Sequence, residues 1–268
     1  MKLKIITFLL ITSATIHAQE LFVVTEPASN MATGSIGFRA NNYFMQIDST
    51  KKTSYHLMPE IMVGVTKKFM AHIALISSNR KNSLEVEGVT LYGKYKFLSK
   101  DEVHKHFRMA TFGRYSYNSS PIHMQENSLL MHNSGYEYGV VATQLLHKTA
   151  YSVSTSIQKA TNTNTVKYPY NGLQQSFNYS ASVGHLFYPK SYTSYKQTNI
   201  NAMLEFVGQY NMGNQHQFID MVPSLQFIIK SVARIDVAYR TQISGNLQRS
   251  FSRGVLLKFE YNIFNAFK

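Results

Sequence analysis

Apolar and polar residues alternate along most of the chain, in runs separated by polar stretches. The last run, residues 253–268, shows the pattern most clearly, because Val255, Leu257 and Phe259 alternate with mostly polar neighbours. Period-two alternation is typical of a β-strand with one apolar and one polar face. A final strand of this kind suits a barrel that closes on its first strand, because hydrocarbon offers no partner to an unpaired backbone N–H.

The chain contains about twelve such runs of roughly ten residues, which is the length of a tilted transmembrane strand. The connections after the second, sixth and tenth runs are very short, whereas residues 118–134 and 159–175 form much longer ones. Short periplasmic turns and long outer loops alternate in even-stranded membrane barrels. The pattern therefore predicts an all-β fold, a transmembrane antiparallel up-and-down β-barrel of about 12 strands. The alternative, a soluble β-sandwich, has no reason to place short turns at every second connection.

Three regions are expected along the chain. Residues 1–18 have the basic start, short apolar core and final small residue of a secretory signal peptide. Residues 19–33 are expected to form a periplasmic segment, and residues 34–268 the barrel in the outer membrane of a Gram-negative bacterium. Outer-membrane lipid, and the barrel-insertion machinery during biogenesis, are therefore expected partners.

Composition narrows the chemistry. The chain has no cysteine, which excludes disulfides and thiolate metal sites. Its mean hydropathy of −0.20 is low for a helical membrane protein and normal for a barrel, where only alternate residues meet lipid. A net charge of +13 is compatible with nucleic acid, an anionic surface or an anionic solute. Export argues against nucleic acid, so no nucleic-acid partner is predicted.

The polar face of each run would line the lumen. It carries charges of both signs with a modest basic surplus, and basic side chains along a passage favour anionic or polar solutes. The candidate lumen-lining residues are Arg39, Glu60, Lys94, Arg108, Arg114, Glu205, Arg234, Asp236, Arg240, Lys258 and Glu260. The sequence thus predicts porin-like, passive passage of small polar or anionic solutes. An ion-paired interior that only supports the fold, and a plugged barrel that conducts nothing, remain open alternatives.

Two further functions deserve comparison with transport. The first is a non-conducting structural or adhesive barrel that binds a partner through its long outer loops. The second is copper or zinc handling by imidazole and thioether groups of one loop, namely His123, Met124, Met131 and His132. Because such spacing arises easily by chance, no metal site and no cofactor is predicted. No enzyme is expected either, since the chain has no GxSxG motif and His185 lies on the opposite face from Ser180 and Ser182.

A resemblance to a known family lies in three segments. They are LFVVTEPASNMATGSIGFR (residues 21–39), EGVTLYGKYKFLSKDEVHKHFR (residues 87–108) and HNSGYEYGVVATQLLHK (residues 132–148). These segments resemble outer-membrane β-barrel proteins from Bacteroidota, and the chain is broadly similar to transporter-like barrels grouped with the meta-pathway phenol-degradation proteins. The resemblance implies an outer-membrane barrel with a transport role, and it assigns no catalytic or binding residue.

Overall fold

The computed structural model describes residues 22–80, 83–121, 124–163, 167, 172–191, 194 and 196–267. These residues form twelve strands: β1 (Ile36–Ile47), β2 (Thr53–Gly64), β3 (Phe69–Ser78), β4 (Glu85–Glu102), β5 (Lys105–Asn118), β6 (Ser134–Leu146), β7 (Thr149–Thr161), β8 (Gln175–Tyr188), β9 (Asn199–Asn211), β10 (Gln217–Ile229), β11 (Ala233–Gly245) and β12 (Phe251–Ile263). Within the described ranges there is no helix long and apolar enough to cross a bilayer.

The strands form one closed antiparallel barrel. Each strand pairs with its neighbours in sequence, and β12 pairs with β1. That closing pair runs in unbroken register from Ile36 opposite Ile263 to Gln46 opposite Arg253. Closure leaves no strand edge unpaired, as a hydrocarbon environment requires. The predicted twelve-stranded barrel, with its last strand closing on the first, is confirmed.

The outward face of the barrel is apolar and exposed. Ile73 on β3, Leu91 on β4 and Leu225 on β10 are 46%, 50% and 48% exposed, although each is a large aliphatic side chain. Apolar patches of more than a few hundred Å² are rare on soluble monomers. A continuous belt of such side chains is what a barrel wall presents to lipid, with the alternate residues turned inward.

The two ends of the barrel differ in their connections. At one end, here called the turn end, the connections β2–β3, β4–β5, β6–β7 and β10–β11 are residues 65–68, 103–104, 147–148 and 230–232. At the other, the loop end, residues 119–133 join β5 to β6 and residues 162–174 join β7 to β8. The predicted alternation of short and long connections is therefore present, except that the turn-end connection β8–β9, residues 189–198, is longer than the loop-end connections β1–β2 and β9–β10.

An irregular segment before β1 lies inside the barrel. The sequence analysis placed residues 19–33 in the periplasm; residues 19–21 lie outside the described residues, and residues 22–33, here called the lumen segment, pack against inward-facing side chains. Phe22 and Val23 are buried among Met203, Val222 and Leu256 from three different strands. The difference has a physical reason: this segment has no period-two pattern, so its location depends on partners that lie far away in sequence.

Candidate functional site

The predicted lumen-lining residues all point into the barrel. Lys94 on β4 is fully buried, whereas the next residue, Tyr95, is 45% exposed on the outer wall. The same alternation turns each of the others inward. These residues are Arg39, Glu60, Arg108, Arg114, Glu205, Arg234, Asp236, Arg240, Lys258 and Glu260. Their contribution to solute selectivity is still a prediction.

Glu205, in the middle of β9, holds the lumen segment. Its Oε1 accepts hydrogen bonds from the backbone N–H groups of Val23 at 2.8 Å and Val24 at 3.0 Å. Its Oε2 accepts from the N–H of Thr25 at 2.8 Å and from the Thr25 hydroxyl at 2.7 Å. Successive backbone N–H groups form an anion-binding concavity, so the carboxylate charge and the backbone donors of the segment satisfy each other.

Basic side chains of β4 and β5 hold the next part of the segment. The Nζ of Lys94 donates to the carbonyl oxygens of Pro27 at 2.6 Å and Ser29 at 2.8 Å. A guanidinium nitrogen of Arg108 donates to the Ser29 hydroxyl at 2.8 Å. Backbone carbonyls that have no ladder partner are therefore paired by the wall of the barrel, which lets an irregular segment stay buried.

Glu26 joins the segment to a network of ion pairs on the wall. Its carboxylate lies 2.9 Å from a guanidinium nitrogen of Arg39, which also pairs with Glu60 at 3.2 Å and Glu260 at 2.8 Å. Arg234 in turn lies 3.0 Å from Glu260. Buried charges need partners of this kind because desolvation is costly. The network spans β1, β2, β11 and β12, so it also braces the seam where the barrel closes.

The described part of the 119–133 loop folds over the loop end. Glu126 from this loop is buried and lies 3.3 Å from Arg249, which comes from the connection between β11 and β12. Arg249 also pairs at 2.6 Å with Asp220 on β10. Burial lowers the pKa of Arg249, but Glu126 and Asp220 more than offset this and raise it, so the guanidinium stays charged. These pairs fix the loop against the wall instead of leaving it free in solvent.

A cavity of about 230 Å³ lies between the lumen segment and this loop. Two of the predicted arginines line it, and each forms an ion pair with an acidic residue on a neighbouring strand. The Nε of Arg114 lies 3.2 Å from Glu137, and that of Arg240 lies 2.5 Å from Asp220. Arg114 stands directly opposite Glu137 in the strand register. Arg240 lies two positions before the residue that stands opposite Asp220, so the two side chains point inward side by side.

Sequence reasoning missed several charged residues of the interior ion pairs. Glu26, Glu126 and Arg249 come from irregular segments, where no period marks a facing. Glu137 lies on β6, whose inward face is hard to assign from its sequence, GYEYGVVATQLL. The register of the β5–β6 pair would have identified it, since Glu137 is the cross-strand partner of an inward arginine.

Of the four candidate metal ligands, Met124, Met131 and His132 are among the described residues. His123 lies outside the described residues. The ring of His132 is buried, and its Nε2 lies 3.4 Å from the carbonyl oxygen of Glu126. Among the residues described, no group of three or more His, Cys, Asp or Glu side chains could hold a metal ion.

The closed barrel, its apolar belt and its polar interior define a transmembrane β-barrel of the outer-membrane class, and the outer membrane is its location. The fold is similar to that of an outer membrane channel from Pseudomonas putida F1, with a TM-score of 0.59 and 9% identity over 90% of this chain and 100% of that chain. It is also similar to the NanC porin, with a TM-score of 0.50 and 9% identity over 84% and 98% of the two chains.

Similarity at this level of identity concerns the fold alone. It confirms the barrel fold implied by the resemblance noted from the sequence, while the transport role and the relation to Bacteroidota and to the phenol-degradation proteins stay predictions. No family model matches the chain, and no curated protein matches it.

Proposed function

We propose that the protein is a porin-like channel for passive passage of small polar solutes, with a resting state closed by the lumen segment. The observation that carries the proposal is the chemistry of the interior. Charged and hydrogen-bonding side chains of the wall hold residues 23–29 through contacts that water or a polar solute can replace. Because such exchange offsets most of the gross energy, hydrogen bonds to charged groups such as these contribute a net of only about 1.5–3 kcal/mol each.

Opening would consist of withdrawal of the lumen segment from the barrel. Its strongest resistance would come from the buried pair Phe22 and Val23, which belong to an apolar cluster, and from the carboxylate of Glu205. Once the segment has left, the side chains that bound it would line a wetted passage. Solutes would then cross by diffusion, without a catalytic step and without a cofactor.

The interior supports polar solutes more directly than anionic ones. An anionic preference, expected from the net charge, would need basic side chains without acidic partners. Each of the interior arginines with a described ion pair has at least one carboxylate within 3.3 Å. These are Arg39, Arg108, Arg114, Arg234, Arg240 and Arg249. Anionic solutes could therefore cross the open channel, but the paired arginines would give them no preference over neutral polar solutes.

Biogenesis follows the same proposal. Residues 1–18 would be removed on export, the barrel-insertion machinery would fold the strands into the membrane, and lipid would surround the apolar belt. The proposed function includes no binding of nucleic acid.

Planar-bilayer recording of the full mature chain and of a variant lacking residues 22–31 tests the proposal. The wild type is expected to show rare, brief current steps, and the deletion variant long-lived steps of uniform size. Residues 32–35 are kept because Gly34 N–H donates to the carbonyl of Gly64 at 2.8 Å. Folding of both proteins is checked by heat-modifiable migration in gels.

A folded deletion variant that passes no current would overturn the channel and support the rival, a barrel that stays shut and acts through its surface. The described part of the 119–133 loop argues against that rival as an adhesin, because Glu126, Asn127 and Leu129 are buried. Binding of a partner protein to the shut barrel would support the rival function.

A further inference from the structure

The cavity inside the barrel has the size of a small ligand site. It lies between residues 24–26 of the lumen segment and residues 126–130 of the loop, with the walls of β4 to β11 around it. Its volume of about 230 Å³ falls just below the range of roughly 300–1,000 Å³ that is typical of ligand pockets. A ligand of about one ring would therefore fit better than a chain of several.

Two uncharged polar groups in the cavity wall have no hydrogen-bond partner. They are the hydroxyl of Tyr92 and the Nε2 of Gln158, and both side chains are more than nine-tenths buried. The amide of Gln158 is held in orientation, because its Oε1 accepts from the Nδ2 of Asn178 at 2.9 Å. Buried polar groups without a partner are uncommon and costly. Both residues line the cavity, although the two atoms are themselves covered by neighbouring groups, so a small shift of those neighbours would present them to a ligand that offers hydroxyl groups.

The charged groups around the cavity are already paired. Arg114 pairs with Glu137, Arg240 with Asp220 and Glu126 with Arg249, at 3.2, 2.5 and 3.3 Å. A charged ligand would have to draw one partner away and leave the other buried without compensation, which is strongly unfavourable. The electrostatics of the wall therefore select an uncharged ligand.

Aromatic rings complete the wall. Tyr92 and Phe112 lie side by side, with ring centroids 5.8 Å apart and planes tilted by 31°, and Tyr179 and Phe218 line the cavity as well. Flat apolar surfaces next to hydroxyl and amide groups match a ring that has C–H faces and a rim of hydroxyls.

We propose that this cavity binds one small, uncharged, polyhydroxylated ring, of the class of neutral monosaccharides and cyclitols. The proposal rests on the proposed function, since it names the kind of solute that the channel would hold in transit. Tyr92 and Gln158 supply the hydrogen bonds, and the partly exposed rings of Phe112 and Tyr179 supply the stacking surface.

Isothermal titration calorimetry on the detergent-solubilised full mature chain tests the site. The neutral probes are glucose, galactose, mannose and myo-inositol, and the charged probes are glucuronate and glucosamine, which keep the ring and add one charge. At least one neutral probe is expected to bind, and its charged counterparts at least tenfold more weakly. Tyr92→Phe and Gln158→Leu should each weaken binding by about fivefold, the effect of one lost hydrogen bond.

The chain offers a matched control in Gln226. This residue is also buried, its Oε1 also accepts from an asparagine at 2.9 Å, and its Nε2 also has no partner, but it lies outside the cavity wall. Gln226→Leu should leave binding unchanged. Equal weakening by Gln158→Leu and Gln226→Leu would overturn the site, as would charged probes that bind as tightly as neutral ones.

Bilayer currents measured on the same preparations separate this proposal from the channel itself. Current steps together with no binding of any neutral probe would sink the site and leave the channel intact. Binding that is lost in Gln158→Leu, with no current even after deletion of residues 22–31, would keep the site and sink the channel.

Discussion

Glu205→Gln is the sharpest perturbation of the lumen segment. The substitution keeps the shape of the side chain and removes its charge. The wild-type carboxylate accepts from the N–H groups of Val23, Val24 and Thr25 and from the Thr25 hydroxyl. The amide has one accepting oxygen and places an NH₂ donor at the position of the other oxygen, facing backbone donors.

The expected cost follows from the contacts that change. Hydrogen bonds to a charged group contribute about 1.5–3 kcal/mol each, but the freed backbone donors regain water once the segment leaves. Loss of the charge and of about half of the contacts should therefore destabilise the docked segment by about 2–4 kcal/mol. Since about 1.4 kcal/mol is a factor of ten, the undocked fraction should rise about 30- to 700-fold.

The chain has no cysteine, so a single reporter thiol is unambiguous. Ala28 is fully buried in the docked segment, and Ala28→Cys changes little volume. The rate at which a maleimide labels this thiol in membranes reports the undocked fraction. In Glu205→Gln the labelling rate should increase about 30- to 700-fold, with the rate of a fully exposed thiol as its upper limit.

Glu87→Gln is the control for loss of a buried carboxylate. The partners of Glu87 are Ser78 and Arg80 near the loop end, at 2.7 Å each, so its change should leave labelling of the reporter unaltered. A Glu205→Gln protein that labels at the parent rate, or no faster than Glu87→Gln, would refute the reasoning.

Three further predictions concern the loop and the wall. Arg249→Ala should loosen the 119–133 loop by about 3–5 kcal/mol, because it removes the ion-pair partner of the buried Glu126 carboxylate, whereas Asp220 keeps Arg240. Limited proteolysis should then cut the loop at least tenfold faster; an unchanged rate would contradict this. Ile73→Arg, in the middle of the apolar belt, should reduce stability in urea titrations by about 2–4 kcal/mol, whereas Val103→Arg in an exposed turn should have no effect. Burial lowers the pKa of His132 below 6.5. The neutral ring therefore contributes fully to loop docking above that pH, and this contribution is lost as the pH falls. Proteolysis of the loop should accelerate between pH 7 and 5, and the acceleration should be smaller in His132→Gln.

The strands were predictable because one physical rule acts on every residue in them. Leu257 faces lipid and Lys258 faces the interior, so apolar and polar residues alternate along the strand according to the side that each one faces. Arg114 and Arg240 could be placed inside by the same rule. Their acidic partners could be found only with the strand register or the loop fold in hand.

The lumen segment could not be predicted from periodicity. Residues 22–33 have no ladder partners of their own, and what fixes them is a set of side chains far along the chain. The N–H of Thr25 and its acceptor Glu205 are 180 residues apart. A sequence with Glu26 and Pro27 between short apolar stretches reads equally well as a solvated linker, so only the three-dimensional arrangement of the wall shows that it is buried.

Gly34 joins the lumen segment to β1, and in the proposed channel this connection would determine how the closed state behaves after it opens. Gly34 has a φ of +72°, and a Cβ there would lie 2.5 Å from the carbonyl oxygen of Phe267, so the position requires glycine. A blocker covalently attached at this point has an effective local concentration of order millimolar. A free peptide of the same sequence would have to reach about that concentration to compete with it. In the proposed channel each opening would therefore be self-terminating, and the barrel would need no separate protein to shut it again.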